Sequence, residues 1–441
     1  MDNTPGPGAA PLQQPQGGRH EQYTPVTPPG AAVPPLPPQQ GYGQPYTEGQ
    51  SPARPARGAS NRAVLVTSAL AFIGITLIGV GYLMGGEARK FMSAGFQFIP
   101  LAVLAALAFA GLRNRTAEVF TYVWLAILAL GTLFTVAATT VMGTIKDVAR
   151  FNEWVEHPGN VPVTSLFRED AGWVALLCLV SLMLVSLISI AMLFKPVRVL
   201  VSRVIPIDPN NFVHKIAICY LTLVALSFFL PLLLLGGQPP LLLLMDSTTA
   251  RNLAVSPQDL VYQFVWTIPA TFVAAGWPIV RTFKAMLARL AFVRPTLLQV
   301  VGAVVGGVVL AVVAALGLDP AINQLWRSMG WGTTDLEAFS RLMSQVITPL
   351  GAVLVGVTAG VGEELAVRGL LQPRIGLIAS NLVFTSLHAF QYGVDALLSV
   401  FIIGIVLGLI RKRTNTTTSA IVHGMYDFVL VMASTTMFTG Q

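Results

Sequence analysis

The sequence is short of charge. Only 11% of its 441 residues are Asp, Glu, Lys or Arg, against 54% hydrophobic, whereas soluble domains carry about 25% charged residues. A water-soluble fold has nowhere to put that much apolar surface, so a soluble globular class is excluded and a bilayer is the solvent that fits. Cysteine is almost missing. Cys178 and Cys219 each sit inside an apolar run, which argues against a disulfide framework or a thiolate metal site and leaves them as small buried hydrophobes. No apolar stretch follows a charged start, so a secretory signal peptide is not expected. No basic motif or RNA module is present. The net charge of +7, from 27 Lys and Arg against 20 Asp and Glu, is read as basic connections between membrane spans. The membrane is the expected partner, and nucleic acid is not.

What is present divides the chain in three. Residues 1–60 are rich in Pro, Gly and Gln. Such a segment buries too little apolar surface to offset its ordering entropy, and a disordered cytoplasmic tail with polyproline II tendency is expected. Long apolar runs follow, at about 63–84, 94–112, 118–143, 172–194, 213–236, 260–280, 296–317, 347–372, 376–392, 395–410 and 418–437. The fold class is therefore all-α, a polytopic transmembrane bundle of about eleven helices. Residues 61–290 are N-terminal transmembrane helices without a readable role, and 291–441 hold the chemistry. The run 239–245 is too short to span and reads as interfacial or re-entrant. Arg54, Arg57 and Arg62, Arg113 and Arg115, Lys195 and Arg198, Arg281 and Lys284, Arg374, and Arg411 to Arg413 all fall on one side of this map. The positive-inside rule puts that side and the N-terminus in the cytoplasm, with the C-terminus outside. The 318–346 loop then lies outside, with Trp326 and Trp331 as interfacial anchors. Small pairs at Gly302/Gly306, Gly356/Gly360 and Gly404/Gly408 allow close helix approach.

Ionisable groups in apolar spans are costly and are normally retained for function or pairing. Glu363, Glu364, Arg368, His388, His423 and Asp427 all fall in the last spans, whereas the other histidines, His20, His157 and His214, lie in the tail, a loop and a span's edge. Pro373, Arg374 and Gly376 mark a turn. Glu363 lies twelve residues before Ile375 and His388 thirteen after it, so both sit ~18–20 Å from the turn in antiparallel helices. His423 enters from the next turn to ~12 Å. Glu364 and Arg368 share a helical face, as do Phe384 and His388, and His423 and Asp427. One carboxylate can pair with Arg368 and leave the other free as a general base for water. Glu363, His388 and His423 are equally a zinc donor set, although HExxH spacing is absent. Zinc is the one cofactor this pattern suggests; otherwise none is expected.

At these residues the sequence resembles the CAAX protease and bacteriocin-processing (CPBP, or Abi) family of intramembrane proteases. Glu363-Glu364-Leu365-Ala366-Val367-Arg368 matches its EExxxR motif, Phe384 and His388 its FxxxH motif, and His423 and Asp427 its HxxxN or HxxxD motif. The resemblance covers about residues 295–437. It implies that Glu363 activates the attacking water, that His388 positions it, and that Glu364 and Arg368 support the site. His423 and residue 427 would stabilise the oxyanion. Relatives among the prenyl endopeptidases carry Asn where Asp427 stands, and an ionised Asp cannot donate to an oxyanion.

The expected function is an intramembrane glutamic or metallo-endopeptidase cleaving a peptide or membrane-protein substrate in a bacterial plasma membrane. A non-catalytic scaffold or immunity factor would keep the same residues as a structural network. A transporter would usually show inverted repeats with broken helices in both halves, whereas the acidic and His-bearing spans here are confined to the C-terminal end.

Overall fold

The computed structural model describes, besides Met1, residues 58–158, 160–245 and 254–439. The expected disordered tail lies outside this range except at its end, where Gly58 already opens the first helix. Every regular element among the described residues is helical, apart from one isolated bridge between Ile145 and Phe167. The protein is an integral membrane helical bundle.

Many of the apolar runs begin on a residue whose side chain satisfies the first free backbone N–H groups, as at Asn114, Asn211, Ser256, Thr296 and Thr348. Helix α1 (Gly58–Met84) leads into α2 (Gly86–Gly111) and α3 (Arg115–Met142). Asn114 caps α3 by accepting from the N–H groups of Thr116 and Ala117. Short helices α4 (Val148–Glu156) and α5 (Val163–Leu166) fill the acidic connection to α6 (Ala171–Ala191). The chain then forms α7 (Lys195–Val201), α8 (Phe212–Ser227), α9 (Phe229–Leu234) and α10 (Pro240–Leu244). The last of these is the short piece at 239–245, held where the Leu241 N–H donates to the Phe390 carbonyl at 3.0 Å. Helix α11 (Pro257–Ala274) starts with a Ser256–Asp259 capping box, and α12 (Phe283–Arg289) follows. Helix α13 (Leu297–Val313) opens with a Thr296–Gln299 capping box.

The expected outer loop at 318–346 is largely helical. Helix α13 runs through a π-helical stretch at 314–318 straight into α14 (Asp319–Ser328). Pro320 lies two residues past the π-helical stretch, and the helical path continues through it. Helix α15 (Leu336–Met343) comes next. Trp326 is buried, whereas Trp331 is 54% exposed and packs edge-on against it.

The C-terminal part starts with α16 (Pro349–Val357), which continues through π-helical turns at 358–363 and 365–371 into α17 (Gln372–Leu387). Gly376 breaks this path with φ 80° and ψ 173°, a left-handed region that glycine enters without strain. The chain reverses there. Arg368 and Phe384, eight residues on either side, stack with the guanidinium carbon 4.5 Å from the ring centre. The hairpin is closed by α18 (Val394–Arg413) and α19 (Thr416–Thr439). One expectation changes here: the ninth span, placed at 376–392, ends as helix at Leu387, and 388–393 form a non-helical turn. Irregular backbone at membrane depth survives only where protein buries it; α9 and α10 do this, with Phe228 edge-on to Phe390 at 5.0 Å. Among the described residues, eight helices are long and apolar enough to cross a membrane, with Pro349–Leu387 counted as one.

Two glycine pairs act as expected. A Cβ on Gly356 or Gly360 would lie 2.5 or 2.7 Å from the Gly424 or Ala420 carbonyl of α19. A Cβ on Gly404 or Gly408 would strike Asn381 or Leu377 of α17. The third pair does not. Gly302 faces open space and Gly306 barely reaches Val422, whereas Gly307, one position on, meets Met425 and the Val422 carbonyl. A spacing of four repeats on several helical faces, so the pattern alone misidentified the contact face.

Residues 56–441 pack as one compact unit. Leu365 shares a cluster with Ala275, Met286 and Leu290; Ile375 and Val383 share one with Ile207 and Ile218; Ala389 and Leu397 share one with Leu232.

Candidate active site

The two adjacent glutamates live in different surroundings. Glu364 is fully buried. Its Oε2 accepts from Ser419 Oγ at 2.6 Å, and its Oε1 faces His423 Nδ1 at 3.1 Å and Arg368 Nε at 3.5 Å. Arg368 is 1% exposed, donates from Nη2 to the Gly404 carbonyl at 3.0 Å and lies over the Phe384 ring. A buried ion pair of this kind persists only with support from further hydrogen bonds; Ser419, His423 and Gly404 supply three, while Arg368 Nη1 is buried without a hydrogen-bond partner.

Glu363 points elsewhere. Its side chain is 38% exposed, and its one ion-pair contact among the described residues is with His423, Nε2 to Oε2 at 4.0 Å. Successive residues on a helix project about 100° apart, so one glutamate can be locked into the protein while the next faces an opening.

His423 joins the parts. It is buried, with Nδ1 on Glu364 and Nε2 between Glu363 and Asp427, the latter at 3.5 Å. His388 forms the C-cap of α17, and its Nδ1 meets the Phe384 carbonyl at 2.9 Å. A carbonyl only accepts, so Nδ1 carries the proton and a neutral ring offers Nε2 as acceptor. No hydrogen bond or ion pair joins His388 directly to Glu363 or His423. Phe384 lies between the two imidazoles, with ring centres 4.7 Å from His388 and 6.3 Å from His423. The structure thus brings all six ionisable residues and Phe384 into one neighbourhood, with Glu364 and Arg368 inside it and Glu363 at its open edge.

Glu363, His388 and His423 are not drawn together as a metal centre. Among the described residues no group of three His, Cys, Asp or Glu side chains is placed to hold a metal ion. Two zinc donors at ~2.1 Å in tetrahedral geometry lie ~3.4 Å apart, closer than the 4.0 Å between His423 and Glu363.

Several neighbours escaped the sequence reading. Ser419 lies four residues before His423, and Tyr392 four after His388. Tyr392 stacks on His388 at 5.9 Å and 19° and leans on Phe339 of α15 at 5.1 Å. Asn381 donates to the Phe401 carbonyl and Gln372 to the Gly408 carbonyl, pinning the hairpin to α18. The available signal was the same four-residue spacing that links the motif residues. Hydroxyl and amide side chains are too common in apolar spans for that spacing to single them out.

Residues 345–429 match the family model described as type II CAAX prenyl endopeptidase Rce1-like. This is the CAAX protease family that the three motifs resemble, and all three fall inside the matched segment. The family is one of endopeptidases, hydrolases of peptide bonds. No curated protein and no solved structure matches the chain.

Proposed function

We propose that the protein is an intramembrane endopeptidase in which Glu363 activates water for attack on the peptide bond of a membrane-associated substrate. The observation that carries this reading is the contrast between neighbours: Glu364 is sealed by Arg368, Ser419 and His423, while the Glu363 side chain is 38% exposed with no hydrogen bond among the described residues. A structural network would satisfy both carboxylates. A general base has to keep one available.

In this mechanism Glu363 takes a proton from a water that also donates to His388 Nε2. The resulting hydroxide adds to the scissile carbonyl carbon. His423 has a carboxylate at each ring nitrogen. It can donate to both only as the imidazolium, which places a cation where negative charge develops on the carbonyl oxygen. Asp427 holds His423 in place rather than donating to the oxyanion itself. Glu363 then passes its proton to the departing amine, and the C–N bond breaks. We further propose, from the basic connections, that the N-terminus lies in the cytoplasm and the C-terminus outside, in a bacterial plasma membrane.

The test is cleavage of membrane-peptide reporters by the purified protein in detergent, with Glu363→Ala and His388→Ala compared with wild type, each with and without a chelator. Loss of cleavage in both variants is the expected result, and persistence in either removes that residue from the mechanism. Cleavage that survives the chelator identifies the glutamate route. Loss on chelation, restored by zinc, assigns Glu363, His388 and His423 as ligands instead.

A further inference from the structure

His388 stands where helix gives way to turn, at the C-cap of α17. Helix ends fray, yet a histidine that orients water needs its ring in one plane. The hydrogen bond between Nδ1 and the Phe384 carbonyl, at 2.9 Å, fixes one atom of the ring but not the plane. A second contact does that. The Tyr392 N–H donates to the His388 carbonyl at 3.1 Å, which coils the turn and lays the Tyr392 ring beside the imidazole, 5.9 Å between centres and 19° from parallel. Phe384 meets the same imidazole edge-on at 4.7 Å. No hydrogen bond to the Tyr392 hydroxyl occurs among the described residues, so the contact with His388 is made by the ring.

Tyr392 lies beyond the end of α17 and takes its place from an earlier part of the chain. Phe339 of α15 packs on its ring at 5.1 Å and 32°. The next residue, Gly393, donates its N–H to Thr334 Oγ1 at 3.0 Å. Thr334, in the connection from α14 to α15, is anchored twice on Asp395 of α18, N–H to Oδ2 at 2.9 Å and hydroxyl to Oδ1 at 2.6 Å. Both side chains are buried. A Cβ at position 393 would lie 2.6 Å from Thr334 Oγ1 and 2.7 Å from Asp395 Oδ1, so this bracket closes only around glycine. Helix α15 is seated in turn by Ala338 and Leu342 on Leu242 and Met245. A row of rings thus runs from Phe339 through Tyr392 to His388 and Phe384, with a buried polar bracket at its middle.

We propose that Tyr392 is a positioning residue for His388, and that Phe339 and Thr334 hold it there. The inference rests on the reading of His388 as the group that orients the attacking water. Phe339 and Thr334 precede the matched residues 345–429, so part of the site's geometry is set from outside that segment.

Two measurements on the full chain in detergent test this. The first compares kcat and KM on one membrane-peptide reporter. Tyr392→Leu should lower kcat by about 100-fold with KM unchanged, the scale of a ~1 Å misplacement, and Phe339→Leu by about tenfold. Tyr392→Phe keeps the ring and should retain the cleavage that Tyr392→Leu loses. The second reads no proteolysis: the ring-nitrogen NMR signals of the histidines in the Glu363→Gln background, with His388 assigned by its loss in His388→Gln. With Tyr392 in place His388 should show one tautomer, its proton on Nδ1; with Tyr392→Leu it should show a mixture, because a fixed hydrogen bond is what selects the tautomer. If Tyr392→Leu does not fold, Phe339→Leu is read in its place. If wild type cleaves nothing, the protease reading falls and the spectra decide the positioning by themselves. Cleavage by Tyr392→Leu at the wild-type rate, or a His388 tautomer that it leaves unchanged, overturns the proposal. So does a Tyr392→Phe protein as impaired as Tyr392→Leu, which would assign the hydroxyl a direct contact with substrate.

Discussion

At the scale of single residues, Glu363 and Glu364 separate chemistry from stability. Glu364 is the acceptor for Ser419, His423 and Arg368, all within a dry interior. Removing it leaves a buried guanidinium without its counter-charge, which costs about 3–5 kcal/mol. Glu364→Ala should therefore lower the melting temperature of the detergent-solubilised protein sharply. Glu363→Gln should melt like wild type and yet lose cleavage, because that carboxylate is partly exposed and makes no hydrogen bond. A Glu363→Gln protein that is as destabilised as Glu364→Ala would show that both carboxylates are structural. Asp427 gives a second comparison. If it orients His423 across the 3.5 Å separation, Asn keeps the polar contact and Leu does not. Asp427→Asn should hold cleavage within about tenfold, and Asp427→Leu should lose about 100-fold or more, read as kcat/KM on one reporter. Pairs at four-residue spacing were legible in the sequence because a helix places such residues side by side whatever else the fold does. Ser419 and Tyr392 obey the same rule, but their side chains carry no charge whose burial would have marked them.

At the scale of elements, the hairpin is held where the path from α16 touches α19 backbone to backbone. The turn at Gly376 could be read from Pro373, Arg374 and Gly376, a proline, a basic residue and a glycine between two apolar runs. The early end of α17 could not, because 388–393 are as apolar as a helix end and are turned by their packing on α9 and α10. Glycine contacts were half legible: composition finds small residues, and only packing chooses their face. This yields a paired expectation. A Cβ on Gly360 would meet the Ala420 carbonyl and the Gly424 nitrogen, each at 2.7 Å. These are main-chain atoms that cannot swing aside. Gly360→Ala should cost about 1–3 kcal/mol. It should also lower cleavage beyond what the lost folded fraction explains, because it pushes α19 and His423 away from Glu363. Gly302 faces nothing within 4 Å, and Gly302→Ala should leave activity intact and stabilise α13 by up to about 1 kcal/mol. Equal behaviour of the two variants in thermal melts and cleavage would show that the α16–α19 approach does not set the site.

At the scale of the whole molecule, the family match covers residues 345–429, but the surfaces that hold this segment extend well beyond it. Gly362, beside the glutamates, faces Phe264 and Thr267 of α11. Leu365 is sealed by Ala275, Met286 and Leu290, and Val383, next to Phe384, packs with Ile207 and Ile218. The N-terminal helices, to which the sequence assigned no role, supply the wall against which the hairpin is built. A chain beginning at residue 291 would expose those apolar faces to lipid, which solvates them, but it would also free the buried polar contacts that depend on the wall. The Leu241 N–H would no longer meet the Phe390 carbonyl, and the irregular 388–393 backbone would face hydrocarbon without cover. An uncovered backbone group at that depth costs several kcal/mol, enough to misplace His388, which begins that turn. Residues 291–441 expressed alone should therefore insert in the membrane but fail to cleave. Co-expression with residues 58–290 should restore cleavage by rebuilding the wall from two pieces. Activity in the 291–441 fragment by itself would show that the segment holds its geometry unaided, and that the first helices serve some end other than shaping the site.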